Sequence, residues 1–391
     1  MKILFIDFIS SPNASNKFDG SVIHQWELVQ NLLALGNEIH VLSEKKNNNH
    51  GYGNLFFHKL QTSTRFKRLN YSLSLIKIIS AYNFDILYTR TPASLNGYIG
   101  FLAKKLWRKT LIFEINGIAF QEQAVSQISS KHNSHIIKIL RKIRKKKELF
   151  IWNKADALIV VTNQIKQFLI SYGVCEKKIN VILNGANTNL FKPMKSDLAR
   201  KELGFNNQSP FVCFVGNLVS WQGLNYLIDA AEIVCKSKNV TFLIVGEGPL
   251  KKELLEQVHC KELESNFIFT GRVPYEQVPV YINASDLCVV PKIKSLSSGY
   301  SPLKLYEYMA CAKPVIATNT EGFEILNQIN SGITVNTENS TEFANAIVYL
   351  LENKHLSLHM GDNGLAYVNK EHSWETVASK SMDVFTFCLR R

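Results

Sequence analysis

The chain has 391 residues, 46% of them hydrophobic and 20% charged, with a formal net charge of +13. That length exceeds one ordinary core and implies two domains, and no apolar run approaches the ~18 residues of a membrane-spanning helix. The charge favours anionic partners, while seven scattered cysteines (Cys175, Cys213, Cys235, Cys260, Cys288, Cys311 and Cys388) lack metal-ligand spacing and read as core residues in a reducing compartment.

The opening MKILFIDFISSP lacks the long apolar region and cleavage site of a signal peptide and reads as a strand over 3–7. A helix is predicted over 21–35, with Val22, Trp26, Val29 and Leu33 as its buried stripe and Gly36 as its stop. A strand over 38–42 and a polar NNNHGYG loop follow, and further strands are predicted over 85–88, 110–114, 157–161 and 179–183. Between them, over 134–152, Ile136, Leu140 and Ile143 recur at helical spacing against Lys138, Arg141, Lys142, Arg144, Lys145, Lys146 and Lys147. Two readings fit this basic amphipathic helix. One is an interfacial helix on an anionic leaflet, each cation contributing on the order of 1 kcal/mol. The other is the solvated face of a helix packed on its own domain by those isoleucines. No aromatic-studded recognition motif accompanies the charge, so nucleic acid is not an expected partner.

The second half repeats this grammar, with strands over 211–215, 241–245, 266–270, 287–290, 314–318 and 332–335. The alternation implies parallel sheets covered by helices on both faces. We expect an α/β chain of two doubly wound Rossmann-like domains facing a central cleft: 1–188, then 189–372, with a helix over 373–391 crossing back to the first. Ligands of such sheets lie beyond the carboxyl ends of the strands. Glycine-containing turns stand at those ends, namely GNLVSWQG (with Gly216 and Gly223), GEGP and GRVP (Gly271, Arg272, Val273, Pro274), whereas G-x-G-x-x-G is absent, which argues against a dehydrogenase.

The segment SPLKLYEYMACAKPVIAT, 301–318, reads as an anion-binding helix N-terminus. Ser301 is a good N-cap, and Pro302 suits the first helical position. Leu303, Tyr306 and Ala310 are expected on a buried face, with Lys304 and Glu307 on the neighbouring one. A first-turn lysine opposes the helix dipole, and a bound phosphate reverses that preference. The bland alternative is a surface Lys304–Glu307 pair worth roughly a few tenths of a kcal/mol.

Taken in order, DGSVIHQWELVQNLLALGNEIHVLS, ADALIVVTNQIKQFLISYGV, KINVILNGANTNLFKP, FVGNLVSWQGLNYLIDA, FLIVGEGP, FIFTGRVP, YINASDLCVVP and the 301–318 segment resemble the family 4 glycosyltransferases over nearly the whole chain. That resemblance implies a retaining enzyme of the GT-B fold with a nucleotide-sugar donor. It implies further that Glu307 binds the donor ribose, that the backbone at Ser301, Pro302 and Leu303 surrounds the diphosphate, and that Gly271, Arg272 and Val273 lie by the nucleobase. The chain departs from the family pattern at Asn217 and Gln222, where Arg and Lys serve the diphosphate, at Gly299 (Glu), at Asn116 (a His contacting the reacting sugar) and at Asn187 (Asp). The SPLKLYEYMA form of the segment suggests a subgroup in which Lys304 supplies the missing phosphate charge.

The catalytic candidates are therefore Lys304, Glu307 and Asn116, with Gly216, Asn217 and Gln222 also on the donor side. Acceptor-side candidates are Gly20, His24, Glu114 and Asn116, around the loops at 19–24 and 114–116. A lone histidine at a helix start and a strand-end carboxylate have ordinary structural explanations as well. No metal or other cofactor is expected, since no aspartate pair for a divalent ion stands out. The readings in view are a transferase acting on a glycan or lipid-linked acceptor, cytoplasmic or peripheral on the inner face of the membrane; a non-catalytic GT-B subunit; and a GT-B nucleotide-sugar epimerase.

Overall fold

The computed structural model describes residues 1–8, 20–43, 53–59, 67–90, 95–118, 135–293 and 301–390; the side chains of 67–69 and 135–141 lie outside that description, as do Asp19 and Gly299. The chain forms two compact units: Met1–Leu183 with Leu296–Ser301 and Glu375–Arg391, and Asn184–Ser295 with Pro302–Trp374.

The first unit alternates β1 (Lys2–Phe8), α1 (Gly20–Ala34), β2 (Glu38–Ser43), β3 (Leu55–Lys59), α2 (Lys67–Ala81), β4 (Ile86–Thr89), α3 (Leu95–Trp107), β5 (Thr110–Ile115), α4 (His135–Lys154), β6 (Ala157–Val160), α5 (Asn163–Ser171) and β7 (Ile179–Val181). Its parallel sheet runs β3-β2-β1-β4-β5-β6-β7. β4 and β6 are buried at every position, as strands covered on both faces must be. The order reverses between β1 and β4, and such a reversal opens a crevice at the carboxyl ends.

The second unit contains α6 (Ser196–Glu202), β8 (Phe211–Val215), α7 (Leu224–Cys235), β9 (Thr241–Val245), α8 (Lys251–Cys260), β10 (Phe267–Gly271), α9 (Val278–Asn283), β11 (Leu287–Val290), α10 (Leu303–Ala310), β12 (Val315–Thr318), α11 (Ile325–Gln328), β13 (Gly332–Val335), α12 (Ser340–Glu352) and α13 (Lys354–Glu371). Its parallel sheet, β10-β9-β8-β11-β12-β13, has the same reversal between β8 and β11. Val212, Phe214, Phe242, Ile244 and Val289 form its central core. At its border, Ala186 N–H donates to the carbonyl of His372 (2.8 Å) and Trp374 N–H to that of Ala186 (3.2 Å), so the two stretches of chain run side by side.

Three sequence expectations are corrected. The core-facing residues of α1 are His24, Glu27, Leu28, Val29 and Leu32; of the expected stripe only Val29 is buried, because Leu28 and Leu32 carry the apolar row and His24 is drawn inward by a carboxylate. β3 was absent from the predicted strands; it pairs with β2 as an edge strand whose residues after Leu55 are at most half-buried. Finally, Pro302, not Ser301, occupies the N-cap of α10, since its ψ of 119° is extended and helical backbone starts at Leu303.

The closing helix α14 (Trp374–Leu389) belongs to the first unit from Glu375 onward. There the fully buried Phe385 packs edge-on against Tyr88 (ring centroids 5.8 Å), and Asn37 Nδ2 reaches Met382 Sδ at 3.4 Å. Phe385→Ala should therefore destabilise the protein by about 3–5 kcal/mol, the usual range for losing a buried aromatic, as measured by chemical denaturation.

Candidate functional site

At the carboxyl end of β8 the chain turns at Gly216, whose φ of +147° suits glycine; its N–H donates to the Val245 carbonyl at 2.9 Å. A Cβ on Gly216 would stand 2.5 Å from Lys304 Nζ, and one on Gly246 (φ +150°), in the turn after β9, would stand 1.9 Å from the Gly216 carbonyl oxygen. The two turns are thus stacked without room for side chains. Gly246 N–H in turn donates to the Gly271 carbonyl (2.9 Å), extending the row to β10.

Helix α10 brings Lys304 and Glu307 to this place. Neither lies on the surface, which removes the alternative of a surface pair: Lys304 is 9% exposed and Glu307 6%, and every residue from Lys304 to Ala310 is buried. Lys304 Nζ donates to Gln222 Oε1 at 3.1 Å and sits 4.1 Å from the centroid of the Phe214 ring. Burial pushes its pKa down to about 7, with Glu307 and Cys213 opposing. Glu307 accepts a hydrogen bond from Tyr275 OH at 3.3 Å, a partner that sequence reasoning missed because its residue type and position after GRVP carry no distinctive signal.

Of the other donor-side candidates, Asn217 is exposed, Pro302 is buried, and Gly271, Val273, Ser301 and Leu303 are half-buried. Arg272 is exposed and its charge acts on Glu247, whose carboxyl is held below its ordinary value chiefly by the Lys251 hydrogen bond (2.8 Å). Asn187 Oδ1 accepts from Leu190 N–H at 3.1 Å, a turn contact. Gly216, Gln222 and Lys304 are therefore one cluster, with Glu307 one helical turn on.

The first unit has its own polar centre at its strand ends. Glu114, 1% exposed, receives His24 Nε2 (2.7 Å) and Arg90 Nε (3.1 Å) on Oε1 and the hydroxyl of Tyr88 on Oε2. Burial works to raise its pKa, but His24 and Arg90 outweigh it and hold the carboxyl well below its ordinary value. Beside it, Asp7 accepts Thr89 Oγ1 (2.9 Å) and Asn96 Nδ2 (3.0 Å). Arg90 also reaches the Ser21 carbonyl (2.9 Å), next to Gly20 at the start of α1. Asn116 follows β5 with its Oδ1 buried and without a hydrogen-bond partner among the described residues. Arg90, Asp7 and Tyr88 were missed; a charged residue directly after a strand, as in YTRTP, was the available signal.

In α4 the expected packing face is also corrected. Ile143 is 44% exposed and Phe150 48%, whereas Glu148, Ile151 and Trp152 face inward, Glu148 paired with Arg144 at 3.0 Å. Lys145 stands over the Tyr172 ring (4.0 Å), and Lys142, Lys146 and Lys147 are exposed. The side chains of Ile136, Lys138, Leu140 and Arg141 lie outside the described residues. No described helix is long and apolar enough to cross a membrane, and no described group of three or more His, Cys, Asp or Glu is disposed to hold a metal ion.

Residues 18–190 match the family described as Glycosyltransferase Family 4, and residues 195–366 that described as Glycosyl transferases group 1. The chain belongs to the glycosyltransferases, with the GT-B fold. It is 27% identical to an uncharacterized glycosyltransferase of Methanocaldococcus jannaschii, over 78% of this chain and 75% of that protein. It is also 27% identical to the D-inositol 3-phosphate glycosyltransferase of Corynebacterium glutamicum, over 74% of this chain and 70% of that protein. Among solved structures, sucrose-phosphate synthase from Thermosynechococcus elongatus superposes with a TM-score of 0.78 (22% identity, 100% and 99% of the two chains). Anabaena HepE in complex with UDP-glucose gives 0.76 (21%, 99% and 100%).

The depressed Lys304 pKa has a stability consequence whose sign is fixed. Between about 7 and the unfolded value near 10.4 the unfolded chain carries the extra proton, so stability rises with pH across that window. Lys304→Met removes this dependence. Denaturation at several pH values should show the variant gaining on the parent as pH falls from about 10 to about 7, by at most about 1.4 kcal/mol per pH unit, and levelling off below.

Proposed function

We propose that this protein is a retaining glycosyltransferase of hexosyl type that moves a sugar from a nucleotide-sugar donor to a glycan or lipid-linked acceptor in polysaccharide or glycoconjugate biosynthesis. The observation that carries the reading is the buried amine of Lys304 at the turn after β8, at the reversal of strand order, with a buried carboxylate one turn further along the same helix. UDP-glucose in the Anabaena relative has the chemistry to fit this pair. Lys304 and the first amides of α10 meet the diphosphate, the neutral residues Asn217 and Gln222 being compensated by Lys304 as in an SPLKLYEYMA-type subgroup; Glu307 takes the ribose hydroxyls. Gly271, Arg272 and Val273 border the base. As the bond to the sugar breaks, negative charge grows on the leaving diphosphate, and prepositioned donors lower the barrier. These protein groups make a metal unnecessary in this scheme. On the acceptor side, His24 and Glu114 orient a hydroxyl, and the open carbonyl of Asn116 meets the reacting sugar.

Glu307→Ala should weaken UDP-glucose binding about 10- to 100-fold in calorimetry while leaving the fold intact, since charge-assisted hydrogen bonds contribute roughly 1.5–3 kcal/mol. Unchanged affinity would put the donor elsewhere. Release of nucleoside diphosphate that requires an acceptor separates transfer from the binding-only and epimerase alternatives.

One surface supports work at a cytoplasmic membrane face. Ile143 and Phe150 stand seven residues apart on one exposed side of α4, with Lys146 and Lys147 between them, so apolar and basic groups share that side. Leu102 and Leu106 of α3 are exposed as well, and the two helices touch through Phe101 and Phe150 (5.9 Å). Replacing Lys142, Lys146 and Lys147 by Gln should release the protein from vesicles containing acidic lipid, and added salt should do the same through screening over about 10 Å at 0.1 M. Binding unaffected by both would return α4 to an ordinary solvated surface.

A further inference from the structure

Lys304 is poorly matched by its own surroundings. An ammonium has three N–H donors. One reaches Gln222 Oε1 at 3.1 Å, the Phe214 ring lies 4.1 Å away, and there is no further acceptor for it among the described residues. Both contacts are neutral. The titratable groups whose charge reaches Nζ are Glu307, on its own helix and already bonded to Tyr275 OH, and the Cys213 thiol of β8. The turn over 216–223, GNLVSWQG, packs against the amine through Gly216 and Gln222 and contains no titratable side chain. At 9% exposure the group has little access to water. The surroundings thus supply hydrogen-bonding capacity for a neutral amine and too little counter-charge for a cation.

A nucleotide sugar brings that counter-charge. Its diphosphate is a diester, permanently ionised on both phosphates and without a titration near neutrality. We propose that capture of a nucleotide sugar at this site draws a proton from solvent onto Lys304 Nζ, turning the amine into an ammonium that hydrogen-bonds the diphosphate. The step forms one N–H bond, at the expense of a buffer acid, and breaks none in the ligand. The inference rests on the donor-site reading above. It is consistent with a free-protein pKa of about 7, which leaves the amine substantially unprotonated above neutrality. Because the bound diphosphate raises that value, affinity must fall with rising pH above about 7, by up to tenfold per pH unit, until the bound-state value is reached.

The test is calorimetry of the full-length protein with UDP-glucose, and with GDP-mannose as a second probe, in two buffers of different ionisation enthalpy. At about pH 7.5 the difference in apparent enthalpy should report uptake of most of a proton, shrinking towards zero near pH 5.5. Lys304→Met should bind more weakly and show no buffer dependence, whereas Lys292→Gln, which alters another buried lysine outside this cluster, should keep it. The fall in parent affinity between pH 7.5 and 8.5 is a second readout that needs no variant. Binding with buffer-independent enthalpy at pH 7.5, or uptake that persists in Lys304→Met, overturns the proposal while leaving the donor site standing. If neither sugar nucleotide binds, the donor-site reading fails and the proposal with it.

Discussion

The site in the second unit depends on the lack of space between the turn after β8, the turn after β9 and helix α10. The backbone at Gly216 touches Lys304 on one side and Gly246 on the other, so neither turn admits a Cβ. That closeness excludes water from the lysine and leaves a neutral amide and an aromatic ring as its neighbours. Parallel strands stop at nearly the same level, so their turns form a row. The reversal of strand order between β8 and β11 keeps the row open to one side. The chemistry of the site follows from this packing: a lysine amine is held where carrying a charge is expensive.

The polar centre of the first unit solves the opposite problem. Glu114 is as deeply buried, yet it is met by an imidazole, a guanidinium and a phenol. A buried charge with this many partners is fixed in geometry and protonation state. Such a centre is suited to orienting neighbouring groups, and the second unit's centre to responding to a ligand. The chain therefore carries a polar centre in each unit, Glu114 with three side-chain partners and Lys304 with one hydrogen-bond partner among the described residues.

The strands were legible where continuous apolar runs meet glycine-containing turns, as in FVCFV before Gly216 or TFLIV before Gly246, because strands buried on both faces need no alternation. β3 was not legible: an edge strand has little burial to impose a pattern, and LFFHK follows a polar stretch. In α1 the apolar periodicity gave the helix but the wrong row, since tertiary contacts drew a histidine and a glutamate inward. Lys304 and Glu307 could be picked out as a charged pair near a helix start, but not their burial. An eight-residue helix enclosed on all sides has no polar face, and its environment comes from Phe214, Gln222 and Tyr275, all remote in sequence. Of the donor-side candidates, Gly216, Gln222 and Lys304 lie together, while Asn217 is exposed.

The C-terminal helix has a consequence for how the protein comes into being. Tyr88, which hydrogen-bonds Glu114, is walled on one side by Phe385, a residue that follows the second unit in the chain. A ribosome adding about 5–20 residues per second makes the second unit before that wall exists. Domains usually fold in the order of synthesis, but here the first unit must wait for α14, made after the second unit, to close its core, a contact of very long sequence separation and correspondingly slow to form. A truncated chain therefore lacks part of the support for the first unit's polar centre even when every residue of that centre has been made.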